Sequence, residues 1–122
     1  MMTHQEIFDK VATHLIKQGR QSATEVGGCV YRGPNNTSCA IGCLIPDNAY
    51  DPLFDADDGS VLHQVGNPAF VAALAAGGVD LTDDTVLDLL DALQGLHDDT
   101  DYPSWHWRLQ TLASGWGLEF KP

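Results

Sequence analysis

Apolar residues recur along this chain at helical spacing in four places, with one short β-like interruption. The first run is Ile7, Phe8, Val11, Ala12, Leu15 and Ile16, which shares one helical face. Thr3 and Glu6 stand before it as a T-x-x-E capping box, in which each side chain satisfies the other's backbone N–H. The pattern predicts a helix from about Gln5 to Gln18 or Gln21, with His4 and His14 solvated because neither has a partner on it. After Gly27-Gly28, "CVYR" is rich in β-formers and "GPNN" is a turn cluster. A hairpin centred near Pro34 would place Cys29 opposite Cys39. Ser38 reads as an N-cap, followed by a brief helix, "CAIGCLI", that must stop before Pro46.

The second half is more regular. An Asp-, Pro- and Gly-rich stretch from Asp47 to Gly59 predicts a surface loop with "DPLF" tucked inward, and "SVLHQVG" a helical turn. "NPAFVAALAAGG" predicts a helix with Asn67 as N-cap, Pro68 at the first position and Gly77-Gly78 as the stop. In "LTDDTVLDLLDALQGLHDD", Val86, Leu89, Leu90, Leu93 and Leu96 form an apolar stripe capped by Thr82 or Asp83. The last helix, "YPSWHWRLQTLASGWG", has Ser104 as its expected cap and Trp105, Leu109, Leu112 and Trp116 on one face; "LEF" adds a short strand or packs down. The expected fold is α+β: a mostly helical single domain, residues 1–122, of four or five helices and one small β-hairpin.

Charge changes the picture more than composition does. The apolar fraction, 43%, is ordinary for a globular domain. The net charge is −11, from 17 acidic and 6 basic residues. Between Arg32 and Arg108 there is no Lys or Arg, while the interval holds 13 aspartates and no glutamate. Such a surface repels nucleic acid and anionic membrane and steers basic partners toward itself, although acidic residues also serve solubility alone. No apolar run approaches the roughly 18 residues of a membrane span. The charged N-terminus does not read as a signal peptide, and an odd cysteine count fits a reducing compartment, so a cytoplasmic location is expected.

The three cysteines lie within "CVYRGPNNTSCAIGCLIP". Cys39 and Cys43 are i, i+4 on the predicted short helix, and Cys29 approaches across the predicted hairpin. With His63, His97 or His106 they would make a tetrahedral zinc site, but C-x₉-C-x₃-C lacks the paired C-x₂-C spacing of strong zinc signals. Cys39 at a helix N-terminus would be a depressed-pKa thiol, with His97, beside Asp98 and Asp99, as its base. Against both stands the burial of free cysteine as a small hydrophobe, which the apolar surroundings of "CAIGCLI" favour. "DADDG" departs from a calcium loop, its glycine one place early and no Glu following. No phosphate-cradling or dinucleotide glycine motif is present. Trp107 is roughly 200° from Trp105 around the helix, so one of the two faces away from the core as an interface anchor.

The segment "CVYRGPNNTSCAIGCLIPDNAYDP", with "QEIFDKVATHLIKQGRQS" before it and "LHDD…W…RLQTLASGWGLEF" after it, resembles a family of small proteins encoded by bacteria and their phages. The resemblance implies a cytoplasmic, phage- or prophage-associated protein and carries no catalytic residue. Small acidic phage proteins often bind host proteins, and some imitate the charge of nucleic acid, anti-CRISPR proteins among them.

These readings combine into a non-enzymatic interaction protein without a cofactor. It is expected to bind a basic host protein, including a nucleic-acid-binding one, rather than nucleic acid or membrane directly. The expected partner-binding residues are Asp80, Asp84, Asp88, Asp91, Asp98, Asp99, Asp101 and Trp107, with Asp47, Asp51, Asp55, Asp57 and Asp58 extending the row. The alternative is a structural-zinc or thiol-dependent protein using Cys29, Cys39 and Cys43.

Overall fold

The computed structural model describes residues 1–23, 30–55, 66–100 and 102–121. Among them are four α-helices and a two-stranded antiparallel hairpin, a mostly helical α+β arrangement. Helix α1 spans His4–Gln18, α2 Pro68–Ala76, α3 Asp84–Asp99 and α4 Tyr102–Trp116; strands β1 and β2 are Arg32–Gly33 and Thr37–Ser38.

Local chemistry sets the helix ends. Thr3 and Glu6 form both bonds of the capping box, which holds the Glu6 carboxyl below its usual range. Gly19, at φ 70°, closes α1 by donating to the Leu15 carbonyl. Asn67 caps α2 and Asp83 caps α3, each accepting a backbone N–H two residues on. Hydrogen bonds from the Thr85 hydroxyl and N–H depress the Asp83 carboxyl. Helix α4 begins two residues before Ser104, which therefore lies in its first turn and is not the cap.

Helix α1 packs against α3 and α4, and these two against each other. Ile7, Phe8, Val11 and Leu15 meet Leu89, Leu90 and Leu93, with Trp105 and Leu109, in one contiguous core. A second group of rings, Tyr31, Phe54 and Phe70, joins the hairpin to α2 at centroid distances of 5.4 and 5.2 Å. "LEF" forms no strand. It is tied back to α1 by reciprocal bonds between Gln5 and Glu119, and Phe120 packs edge-on to Phe8. The histidines of α1 are half-buried and each has a partner: His4 bonds Thr85 and His14 donates to the Ser38 carbonyl.

The hairpin segment departs most from expectation. Its register pairs Arg32 with Ser38 and Gly33 with Thr37, about a turn at Asn35 and Asn36, both with positive φ as a type I′ turn requires. Cys39 consequently faces Tyr31, to whose carbonyl its N–H donates; Cys29, the neighbour expected from the sequence, lies outside the described residues. "CAIGCLI" is not an α-helix. Ser38 belongs to β2, a single turn links Cys43 to Cys39, and a 3₁₀ turn covers Gly42–Leu44. The reason is tertiary: Gly42 is pressed against the backbone of Tyr31, and Pro46 leaves no room for further turns.

Candidate functional site

Helix α3 puts its apolar stripe into the core and its aspartates outward. At 100° per residue Asp84, Asp88, Asp91, Asp98 and Asp99 fall within roughly a 100° sector, so they form one row. Asp84, Asp88, Asp91 and Asp99 are exposed, and their carboxylates have no ion pair or hydrogen bond among the described residues. Asp98 turns back instead, accepting from His97 Nδ1–H and Gln94 Nε2, both at 2.7 Å.

The other predicted positions separate from this row. Asp80 is half-buried and accepts from the Thr82 N–H and hydroxyl, closing the turn before α3. Asp101, Asp57 and Asp58 lie outside the described residues. Asp47 is paired to Arg32 at 2.7 Å, and Asp51 accepts from Leu53 N–H. Asp55 points inward, taking the N–H groups of Tyr31 and Arg32 and the Tyr50 hydroxyl. The loop aspartates Asp47, Asp51 and Asp55 are thus bound to their own surroundings and do not extend the row.

Trp107 is 56% exposed while Trp105 is wholly buried, its indole N–H donating to the Thr100 carbonyl. The Arg108 guanidinium lies 4.7 Å above the Trp107 ring and makes no ion pair among the described residues. Beside them, between α3 and α4, is a groove of about 340 Å³ with Gly95, Leu96, Asp99, Trp107 and Leu112 among its lining residues. Asp99 belongs both to the row and to the groove, so charge and apolar surface are continuous.

The cysteines stand apart. Cys39 is fully buried, its sulfur accepting from Gly42 N–H; the Cys43 thiol donates to the Ala40 carbonyl. Burial raises both thiols, Cys43 to about 12, and at Cys39 it outweighs the opposing hydrogen bonds from the Gly42 and Ile41 N–H groups. His97 is not available as its base. Its Nε2 lone pair takes the Ser22 N–H at 2.9 Å, which fixes the proton on Nδ1, facing Asp98. Among the described residues no three His, Cys, Asp or Glu side chains are grouped to hold a metal ion.

The polar group around His97 went unanticipated. Gln94 accepts from Ile41 N–H and donates to Asp98, while His97 joins Asp98 to Ser22. Gln21 adds bonds to the carbonyls of His97, Asp98 and Thr100. The signal was present in the sequence: Val86, Leu90, Leu93 and His97 are i, i+4, i+7, i+11, which puts the histidine inside the apolar stripe.

No helix among the described residues is long and apolar enough to cross a membrane. No protein-family model, curated protein or solved structure matches the chain.

Proposed function

We propose that this protein is a non-enzymatic interaction protein that binds a basic surface of another protein through the outer face of α3 and the groove beside Trp107. The observation that carries the reading is the row Asp84, Asp88, Asp91 and Asp99, which has no ion pair among the described residues and runs into a groove lined by Leu96, Leu112 and Trp107 together with Arg108. A solubilising surface needs charge but has no use for an exposed tryptophan at its end. A lysine or arginine of the partner would set its charge against Asp84, Asp88 and Asp91, and an apolar side chain would enter the groove beside Trp107, whose ring already carries Arg108.

The phage context and the nucleic-acid-mimicking, anti-CRISPR-type action belong to the same proposal in its finer form. The α3 row offers four carboxylates over about 22 Å, a mean spacing of roughly 7 Å. Duplex DNA carries one charge per about 1.7 Å of axis and each strand one per about 3.4 Å. This sparser row supports recognition of a basic protein element more than imitation of a duplex.

Capture of partners from a host lysate, at low and then high salt, tests the reading. Binding should fall with salt, fall further with Asp84→Lys, Asp88→Lys and Asp91→Lys combined, and weaken by about 2 kcal/mol with Trp107→Ala. A partner retained equally by the charge-reversed chain and at high salt would overturn it.

A further inference from the structure

A second groove, of about 730 Å³, lies between the last turn of α1, the hairpin turn and the stretch from Cys43 to Asp47. Three of the chain's six Lys and Arg residues line it: Lys17, Arg20 and Arg32. In a chain with 17 acidic residues, cations would be expected to disperse and pair. Lys17 and Arg20 are instead exposed and without an ion pair among the described residues. The one acid in the lining among the described residues is Asp47, already bonded to Arg32. Three positive charges against one negative leave a local excess of two, so the remainder of the chain carries −13 to make up the total of −11.

Arg32 is the fixed member of the set. Its Nη1 donates to Asp47 at 2.7 Å and its Nη2 to the Ile45 carbonyl at 2.6 Å, and its guanidinium lies 5.0 Å from the Tyr50 ring centroid. Its Nε–H is buried and has no acceptor among the described residues. Lys17 and Arg20 line the groove with it as exposed donors, and Asn35 and Asn36 are exposed lining residues.

We propose that this groove binds a small phosphorylated molecule, a phosphate ester or a diphosphate, with Lys17 and Arg20 as its ligating cations and Arg32 as the fixed positive wall. The groove volume falls within the usual range for small-molecule sites. Arginine matches phosphate oxygens with paired donors, and a tetrahedral dianion accepts from several directions at once. The strongly negative remainder of the chain selects for size. Its field over the groove is screened beyond about 8 Å in physiological salt, but it repels any polyanion long enough to leave the groove. A nucleic acid is therefore disfavoured where a compact ligand is not. The site makes no use of α3 and stands independently of the proposed partner surface.

Calorimetric titration of the full chain with pyrophosphate, at constant ionic strength, tests the assignment. One saturable site is expected. Lys17→Ala with Arg20→Ala should weaken it at least about tenfold, with an unchanged circular-dichroism melt because both side chains are exposed. Lys10→Ala with Lys121→Ala should leave binding unaltered. Absence of saturable binding, equal loss in both double variants, or no loss in the first would overturn the site. Citrate binding as tightly as pyrophosphate would overturn its phosphate preference.

Discussion

A Cβ placed on Gly42 would lie 2.0 Å from the Tyr31 carbonyl oxygen, and one on Gly77 equally close to the carbonyl oxygen of Leu44. At these two points backbone meets backbone, and nothing larger than hydrogen fits. Gly42→Ala is therefore expected to cost about 2 kcal/mol or more, read from the denaturant midpoint. Gly115→Ala is the control: it lies in α4 with open space around it, and helix propensity predicts a gain of about 0.5–1 kcal/mol. Both glycines are visible in the sequence, but only the fold distinguishes them. "CAIGC" read by itself is an acceptable helical turn, and nothing local reports that Tyr31 will occupy the space beside it.

At the scale of elements, α3 does two jobs with opposite faces. Its inner face carries Gln94 and His97 among the leucines, and these side chains tie the segment after the hairpin and the chain after α1 to the core. The Gln94 Oε1 accepts the N–H of Ile41, which has no access to solvent. Gln94→Leu would leave that donor buried and unpaired, at an expected cost of about 1–3 kcal/mol in chemical denaturation. Gln94→Glu keeps the acceptor and isolates that bond, although it loses the donor to Asp98 and brings two carboxylates together. The helix itself was legible because a stripe of five apolar residues, an acidic cap and outward aspartates all agree on one register. The short helix expected at Cys39–Ile45 was not, because seven apolar residues fit a buried turn as well as a buried helix. The cysteines followed the same logic: moving the hairpin centre from Pro34 to Asn35 gave Cys39 a different neighbour across the strands.

Over the whole molecule, charge is segregated rather than simply negative. The exposed aspartates concentrate on the outer side of α3, while half of the lysines and arginines line the groove beside the hairpin. Self-repulsion within the acidic row should cost stability at low ionic strength. Asp88→Lys with Asp91→Lys is expected to melt at a higher temperature than the parent chain in about 0.02 M salt, and the difference should shrink in about 0.5 M salt. The same two substitutions should weaken capture of a basic partner. A gain in stability that coincides with a loss of binding would mark the row as kept for recognition, in the manner of sites that retain unfavourable charge for function.

The sequence by itself determined the helical framework, its caps at Thr3 and Asn67, the α3 cap to within Thr82 or Asp83, the outward row on α3 and the opposition of Trp105 to Trp107. Each of these follows from spacing within one element or from a side chain reaching two or three residues along the chain. Tertiary structure alone decided which carboxylates remain free, which cysteine neighbour pairs across the hairpin, and that His97 is a buried link and not a base. It also brought Lys17, Arg20 and Arg32 to one groove. Those outcomes depend on groups far apart in sequence meeting in space, and on the hydrogen bonds that buried polar atoms must then find.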